Sequence, residues 1–143
     1  MRLETRILVV DDDDAIRALL RTVLRRRGFV VETARNGIEA LEQLGASRYA
    51  LVVLDLMMPE MNGYDLLRNL EDQSFTARPR VLILTAGLNL QPVRSDLIVA
   101  CLPKPFDIDL LVDTVTGCIG ATAPLRQPDV APDTTLPMPS RLN

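Results

Sequence analysis

Ile7-Leu8-Val9-Val10-Asp11-Asp12-Asp13-Asp14 joins four apolar residues to four aspartates. A continuous apolar run of that length, without the alternation of a half-exposed strand, reads as a parallel strand buried on both faces. Beyond the aspartates, Ile16, Leu19, Leu20, Val23 and Leu24 recur at the i, i+3, i+4, i+7, i+8 spacing of one helix face. Asp13 or Asp14 is placed to cap that helix at its start, and Gly28 to close it.

The same unit recurs along the chain. Phe29-Val30-Val31-Glu32-Thr33-Ala34 is a second strand, followed by a helix capped by Asn36, carrying Ile38, Ala40, Leu41 and Leu44, and closed by Gly45. Leu51-Val52-Val53-Leu54 is a third, ending at Asp55. A loop with Pro59 and Gly63 then leads to a helix through Tyr64, Leu66, Leu67 and Leu70. Val81-Leu82-Ile83-Leu84 is a fourth, ending at Thr85. Residues 86–100 are expected to hold a fourth helix, kept short by Gly87, Asn89 and Pro92. Cys101-Leu102-Pro103 is a brief fifth strand before Lys104-Pro105. Asp107 then caps a last helix with Ile108, Leu110, Leu111, Val115 and Ile119 as core positions. Five strand–helix units in strict alternation give an α/β fold: a doubly wound, five-stranded parallel sheet of order 2-1-3-4-5 with helices on both faces.

The chain has 143 residues, 48% of them apolar, enough for one domain with one core, expected over residues 1–120. After residue 120 the periodicity ends and five of the ten prolines follow (Pro124, Pro128, Pro132, Pro137 and Pro139). Residues 121–143 therefore read as an extended or disordered tail, and no second domain is expected. A net charge of −3 argues against nucleic acid as the main partner. The one basic run, Arg25-Arg26-Arg27, sits where it offsets the negative end of the first helix dipole. Cys101 and Cys118 have neither metal-site nor disulfide spacing, and the absence of histidine excludes a histidine base, ligand or phosphohistidine on this chain. No segment has the pattern of a signal peptide or is long enough to span a bilayer, so a cytoplasmic location without a membrane partner is expected.

In an open parallel sheet, ligands bind beyond the carboxyl ends of the strands. Strand one delivers Asp11 and Asp12 there, strand three Asp55, strand four Thr85 and strand five Lys104. Three carboxylates brought together repel one another, and a hard divalent cation resolves the conflict. Mg2+ suits such oxygen ligands and keeps several waters, with Mn2+ as a substitute. A carboxylate beside a metal and a lysine is equipped to attack phosphorus and form an aspartyl phosphate.

The segments Ile7-Leu8-Val9-Val10-Asp11-Asp12, Leu54-Asp55-Leu56-Met57-Met58-Pro59-Glu60-Met61-Asn62-Gly63, Leu84-Thr85-Ala86 and Lys104-Pro105-Phe106 together resemble the receiver family of response regulators, over roughly residues 5 to 120. The resemblance implies the flavodoxin-like receiver fold and two-component signalling. It makes Asp55 the phosphoacceptor. Asp12 becomes a direct magnesium ligand, Asp11 a ligand mainly through water, and the backbone carbonyl of Met57 a further one. Lys104 becomes a contact to the phosphoryl group and Thr85 the switch that swings toward it. It also implies a cis Lys104-Pro105 peptide, and a phosphodonor that is a sensor histidine kinase or histidine phosphotransfer protein. The exposed side of the first helix, with Ala15, Ala18 and Thr22, would be the kinase contact.

The family is a signalling domain rather than an enzyme, so a stand-alone regulator is expected to act on a downstream protein target through altered contacts. Two departures stand out. Cys101 occupies the position of an aromatic that moves with the threonine, and the segment between Thr85 and Lys104 is a few residues short. They support an alternative: a pseudo-receiver interaction module whose output ignores phosphate. An aspartyl phosphatase is disfavoured because Met57 stands where its acid/base aspartate belongs. A dinucleotide site is disfavoured because the turn after strand one is four aspartates without glycine.

Overall fold

The computed structural model describes residues 5–58, 62–72, 79–85 and 95–120. Its elements are β1 (Arg6–Val10), α1 (Asp14–Arg26), β2 (Val30–Ala34), α2 (Gly37–Ala46), β3 (Leu51–Asp55), α3 (Gly63–Asp72), β4 (Arg80–Thr85), β5 (Ile98–Pro103) and α4 (Ile108–Gly120). All four strand pairs are parallel, and the order is β2-β1-β3-β4-β5, as expected.

Successive residues of a strand point to opposite faces, so a strand apolar throughout serves two cores. Leu8, Val10, Val52, Leu54, Val81 and Ile83 pack with Ala40 and Leu44 of α2 and Leu66, Leu67 and Leu70 of α3. Ile7, Val9, Leu51, Val53, Leu82 and Leu84 pack with Leu20 and Leu24 of α1 and Leu111, Val112 and Val115 of α4. Covered on both sides, the central strands place their carboxyl ends rigidly.

The helix boundaries follow local chemistry. The Asp13 carboxylate accepts from the amides of Ala15 and Ile16 and caps α1. Asn36 accepts from the amide of Glu39, and Asp107 from those of Asp109 and Leu110. Gly28 ends the turn after α1 with φ +93, a conformation that costs glycine little.

Four sequence expectations are corrected. Leu19 and Leu110 are 44% and 52% exposed rather than core. Each lies about 100° around its helix from the most buried position, while Val112 and Cys118 fall nearer the inward face of α4 and are buried. The fifth strand begins at Ile98, so 98–100 belong to the sheet and not to a fourth helix. Its pairing with β4 carries a register irregularity near Val81/Leu82. Gly45 lies inside α2, which ends one residue later at Ala46. Residues 95–97 are described and are not helical, while 86–94 and the Pro-rich tail (121–143) lie outside the described residues.

Candidate functional site

β1 ends one residue before Asp11, β3 ends on Asp55, β4 ends on Thr85 and β5 ends one residue before Lys104. Because β1, β3, β4 and β5 are consecutive in the sheet, these residues meet along one edge. Carboxylate oxygens of Asp11, Asp12 and Asp55 lie within 4.8 Å of one another. Asp11 and Asp55 are buried, while Asp12 is exposed at the mouth. Such a donor set, all oxygen and partly open to solvent, fits a hard divalent cation.

The Lys104 ammonium reaches back into the cluster. Its Nζ lies 3.0 Å from Asp11 Oδ2 and 3.4 Å from Asp55 Oδ2. The Lys104 amide donates to the Thr85 carbonyl, tying the ends of β5 and β4 together. The Lys104-Pro105 peptide is cis, as the resemblance implied.

Each buried carboxylate is also held by backbone. Asp11 Oδ1 accepts from the Asp13 amide at 2.9 Å. Asp55 Oδ1 accepts from the Met57 amide at 3.0 Å, which leaves Oδ2 facing Lys104. The Thr85 hydroxyl is buried and has no hydrogen-bond partner among the described residues.

These neighbours set the ionisation of the site. Burial pushes the Asp55 carboxyl above its ordinary value, reinforced by the Asp11 charge and opposed by the Met57 amide and Lys104. Burial acts to lower the Lys104 ammonium, but its hydrogen bonds and attractions to Asp11 and Asp55 outweigh that, and its pKa lies above the ordinary value.

Two contacts that sequence reasoning did not foresee, at Gly63 and Arg17, shape the pocket. A Cβ on Gly63 would stand 2.6 Å from both the Asp55 carbonyl oxygen and Leu56 Cα, so α3 begins against the backbone of β3's last residue. The Gly63 amide donates to the Leu56 carbonyl at that junction. Arg17, in α1, donates from Nη1 to the Asp11 carbonyl at 2.7 Å. A glycine eight residues after an aspartate and an arginine six residues after another are too common in sequence to announce either contact. Away from the pocket, Ala15, Ala18 and Thr22 are exposed on α1, and Cys101 is exposed on β5.

Comparison with known proteins agrees with this architecture. The model of the response regulator receiver domain family matches residues 7–116. The transcriptional regulatory protein CpxR homolog of Haemophilus influenzae is 38% identical over 121 residues, 83% of this chain and 52% of that protein. Response regulator MprA of a Mycobacterium species is 38% identical over 131 residues, 87% of this chain and 54% of that one. The chain thus spans about half the length of these curated relatives. Because one is named a transcriptional regulator, the expectation of no nucleic-acid partner is not supported for a whole protein of this kind. Among solved structures, a CheY-like receiver domain protein from Methanospirillum hungatei superposes with a TM-score of 0.73 at 30% identity, covering 81% of this chain and 94% of that one. Response regulator TrrA of Thermotoga maritima, solved in complex with Mg2+-BeF, gives 0.67 at 34% identity, covering 80% and 98%. Among the described residues, no helix is long and apolar enough to cross a membrane.

Proposed function

The chain belongs to the response regulator receiver domain family of two-component systems, and from that premise we propose that Asp55 accepts a phosphoryl group from a phosphohistidine on a sensor kinase or phosphotransfer protein in the cytoplasm. The observation that carries the reading is the convergence of Asp11, Asp12, Asp55 and Lys104 at adjoining strand ends, with Asp55 Oδ1 held by an amide and Oδ2 turned toward the ammonium.

Asp55 Oδ2 attacks phosphorus, the P–N bond breaks, and its electron pair leaves on the donor imidazole nitrogen, giving an acyl phosphate on Asp55. The ammonium of Lys104 lies beside the attacking oxygen and neutralises charge on the phosphoryl oxygens. Asp11, Asp12, Asp55 and the Met57 carbonyl would hold Mg2+, whose positive charge, when bound, draws phosphoryl and carboxylate oxygens together. Thr85 supplies a buried hydroxyl without a partner among the described residues, suited to turn toward the new phosphoryl group. Output follows through altered protein–protein contacts, with Ala15, Ala18 and Thr22 forming the exposed α1 surface toward the donor.

Incubation with acetyl phosphate and Mg2+ should add one phosphoryl mass to the wild type and none to Asp55→Asn. No gain on the wild type, or an equal gain on the variant, overturns the assignment and favours the phosphate-independent interaction module.

A further inference from the structure

The three carboxylates of the pocket are not held alike. Asp11 is fixed through both oxygens, by the Asp13 amide and by Lys104. Asp55 is fixed through both, by the Met57 amide and by Lys104. The exposed carboxylate of Asp12 has no hydrogen-bond partner among the described residues. Its direction therefore depends on the backbone that carries it.

That backbone leaves β1 through the peptide joining Asp11 to Asp12. A peptide unit is planar, so fixing its carbonyl oxygen also fixes the direction to the next Cα. The Arg17 guanidinium does this: Nη1 donates to the Asp11 carbonyl at 2.7 Å, and Nη2 pairs with Asp14. The Arg17 side chain is only 13% exposed although α1 borders solvent, so it lies along the loop rather than in water. One planar, forked cation thus spans the peptide that aims Asp12 and the first residue of α1.

We infer that Arg17 is a positioning residue for the divalent cation, holding the Asp11–Asp12 peptide so that the Asp12 carboxylate meets those of Asp11 and Asp55. The inference rests on reading the pocket as a Mg2+ site. It has a property that a bystander charge lacks. Arg17 is a cation near the site of another cation, so by charge alone its removal would relieve repulsion and tighten Mg2+ binding. A positioning role predicts the opposite sign.

The test titrates MgCl2 into the full chain and into Arg17→Met and Arg17→Lys, reading melting temperature by circular dichroism and, separately, the rate of phosphorylation by acetyl phosphate. Arg17→Met should raise the half-saturating Mg2+ concentration about tenfold, the usual scale for losing a residue that orients a metal ligand. The rate at saturating Mg2+ should stay near that of the wild type. Arg17→Lys keeps the charge but loses the fork, and should weaken binding about threefold. It decides the matter alone if Arg17→Met does not fold. Tighter binding in Arg17→Met, or unchanged binding in Arg17→Lys, overturns the role of Arg17. A wild type that does not respond to Mg2+ overturns instead the reading of the pocket on which the inference stands.

Discussion

Two clusters of polar side chains are built into this domain, on opposite principles. Beside edge strand β2, Arg6 pairs with Glu32 at 2.8 Å, and the Tyr49 hydroxyl donates to the same carboxylate. Gln43 accepts weakly from that hydroxyl and donates to the Thr33 carbonyl at 2.7 Å. One acid meets one base, and every group has a partner. Burial, with the Glu32 hydrogen bond and charge, drives the Tyr49 pKa upward and keeps the phenol protonated. At the carboxyl edge, three carboxylates meet one ammonium, and a carboxylate and a hydroxyl lack partners among the described residues. A closed network fastens α2 and its following loop to the sheet. An open one, with excess charge, is suited to bind something.

That contrast can be broken in four places. The largest expected effect is on ligand response: Mg2+ at about one hundred times its Kd should stabilise the wild type by about 2.7 kcal/mol. Asp12→Ala should lose that gain, and a full response from the variant in a urea titration would remove Asp12 from the ligand set. Next comes Gly63→Ala. Its methyl meets backbone on two atoms at 2.6 Å, and overpacking of this kind costs about 2 kcal/mol. Because the displaced backbone is that of Asp55, phosphorylation should slow as well; an unchanged rate would show that α3 shifts without disturbing the acid.

Tyr49→Phe tests the balanced cluster. Removing one hydrogen bond to Glu32 should cost about 1 kcal/mol and leave the Mg2+ response as in the wild type. An altered response would join the two clusters into one. The smallest effect is at Asp55 without metal. Its carboxyl pKa is raised on folding, so its protonated form stabilises the fold below the ordinary carboxylate range, and that contribution is lost as pH rises through the folded value. Asp55→Asn should therefore raise the melting temperature at pH 7, by at most about 4 °C, and the advantage should vanish toward pH 4. A lower melting temperature at pH 7 would mean that Lys104 fully compensates the buried charge.

The strand ends were legible because a strand buried on both faces is a run of apolar residues, and the first polar residue after it marks where it emerges. Asp11, Asp55 and Thr85 were found that way, and the caps at Asp13, Asn36 and Asp107 follow from side chains that mimic a missing carbonyl. Helix interiors were read less well. Periodicity names a stripe, but Leu19 and Leu110 sit at its margin, where burial depends on how far the neighbouring element extends. The start of β5 was missed although Leu97-Ile98-Val99-Ala100-Cys101-Leu102 is a continuous apolar run, because strict strand–helix alternation assigned residues 86–100 to a helix. Arg17 and Gly63 act through backbone atoms of Asp11, Asp55 and Leu56, a kind of contact that residue type and spacing do not encode.

Lys104 gives the pocket a counterion on a leash. A dissolved cation can be dialysed or chelated away, whereas an ammonium on a four-carbon stem stays at a fixed local concentration near Asp11 and Asp55 however dilute the solution. A divalent ion arriving there therefore enters a competition with a resident charge. The acid edge never has to endure its own repulsion unscreened, and the strand ends keep their geometry whether or not an ion has arrived.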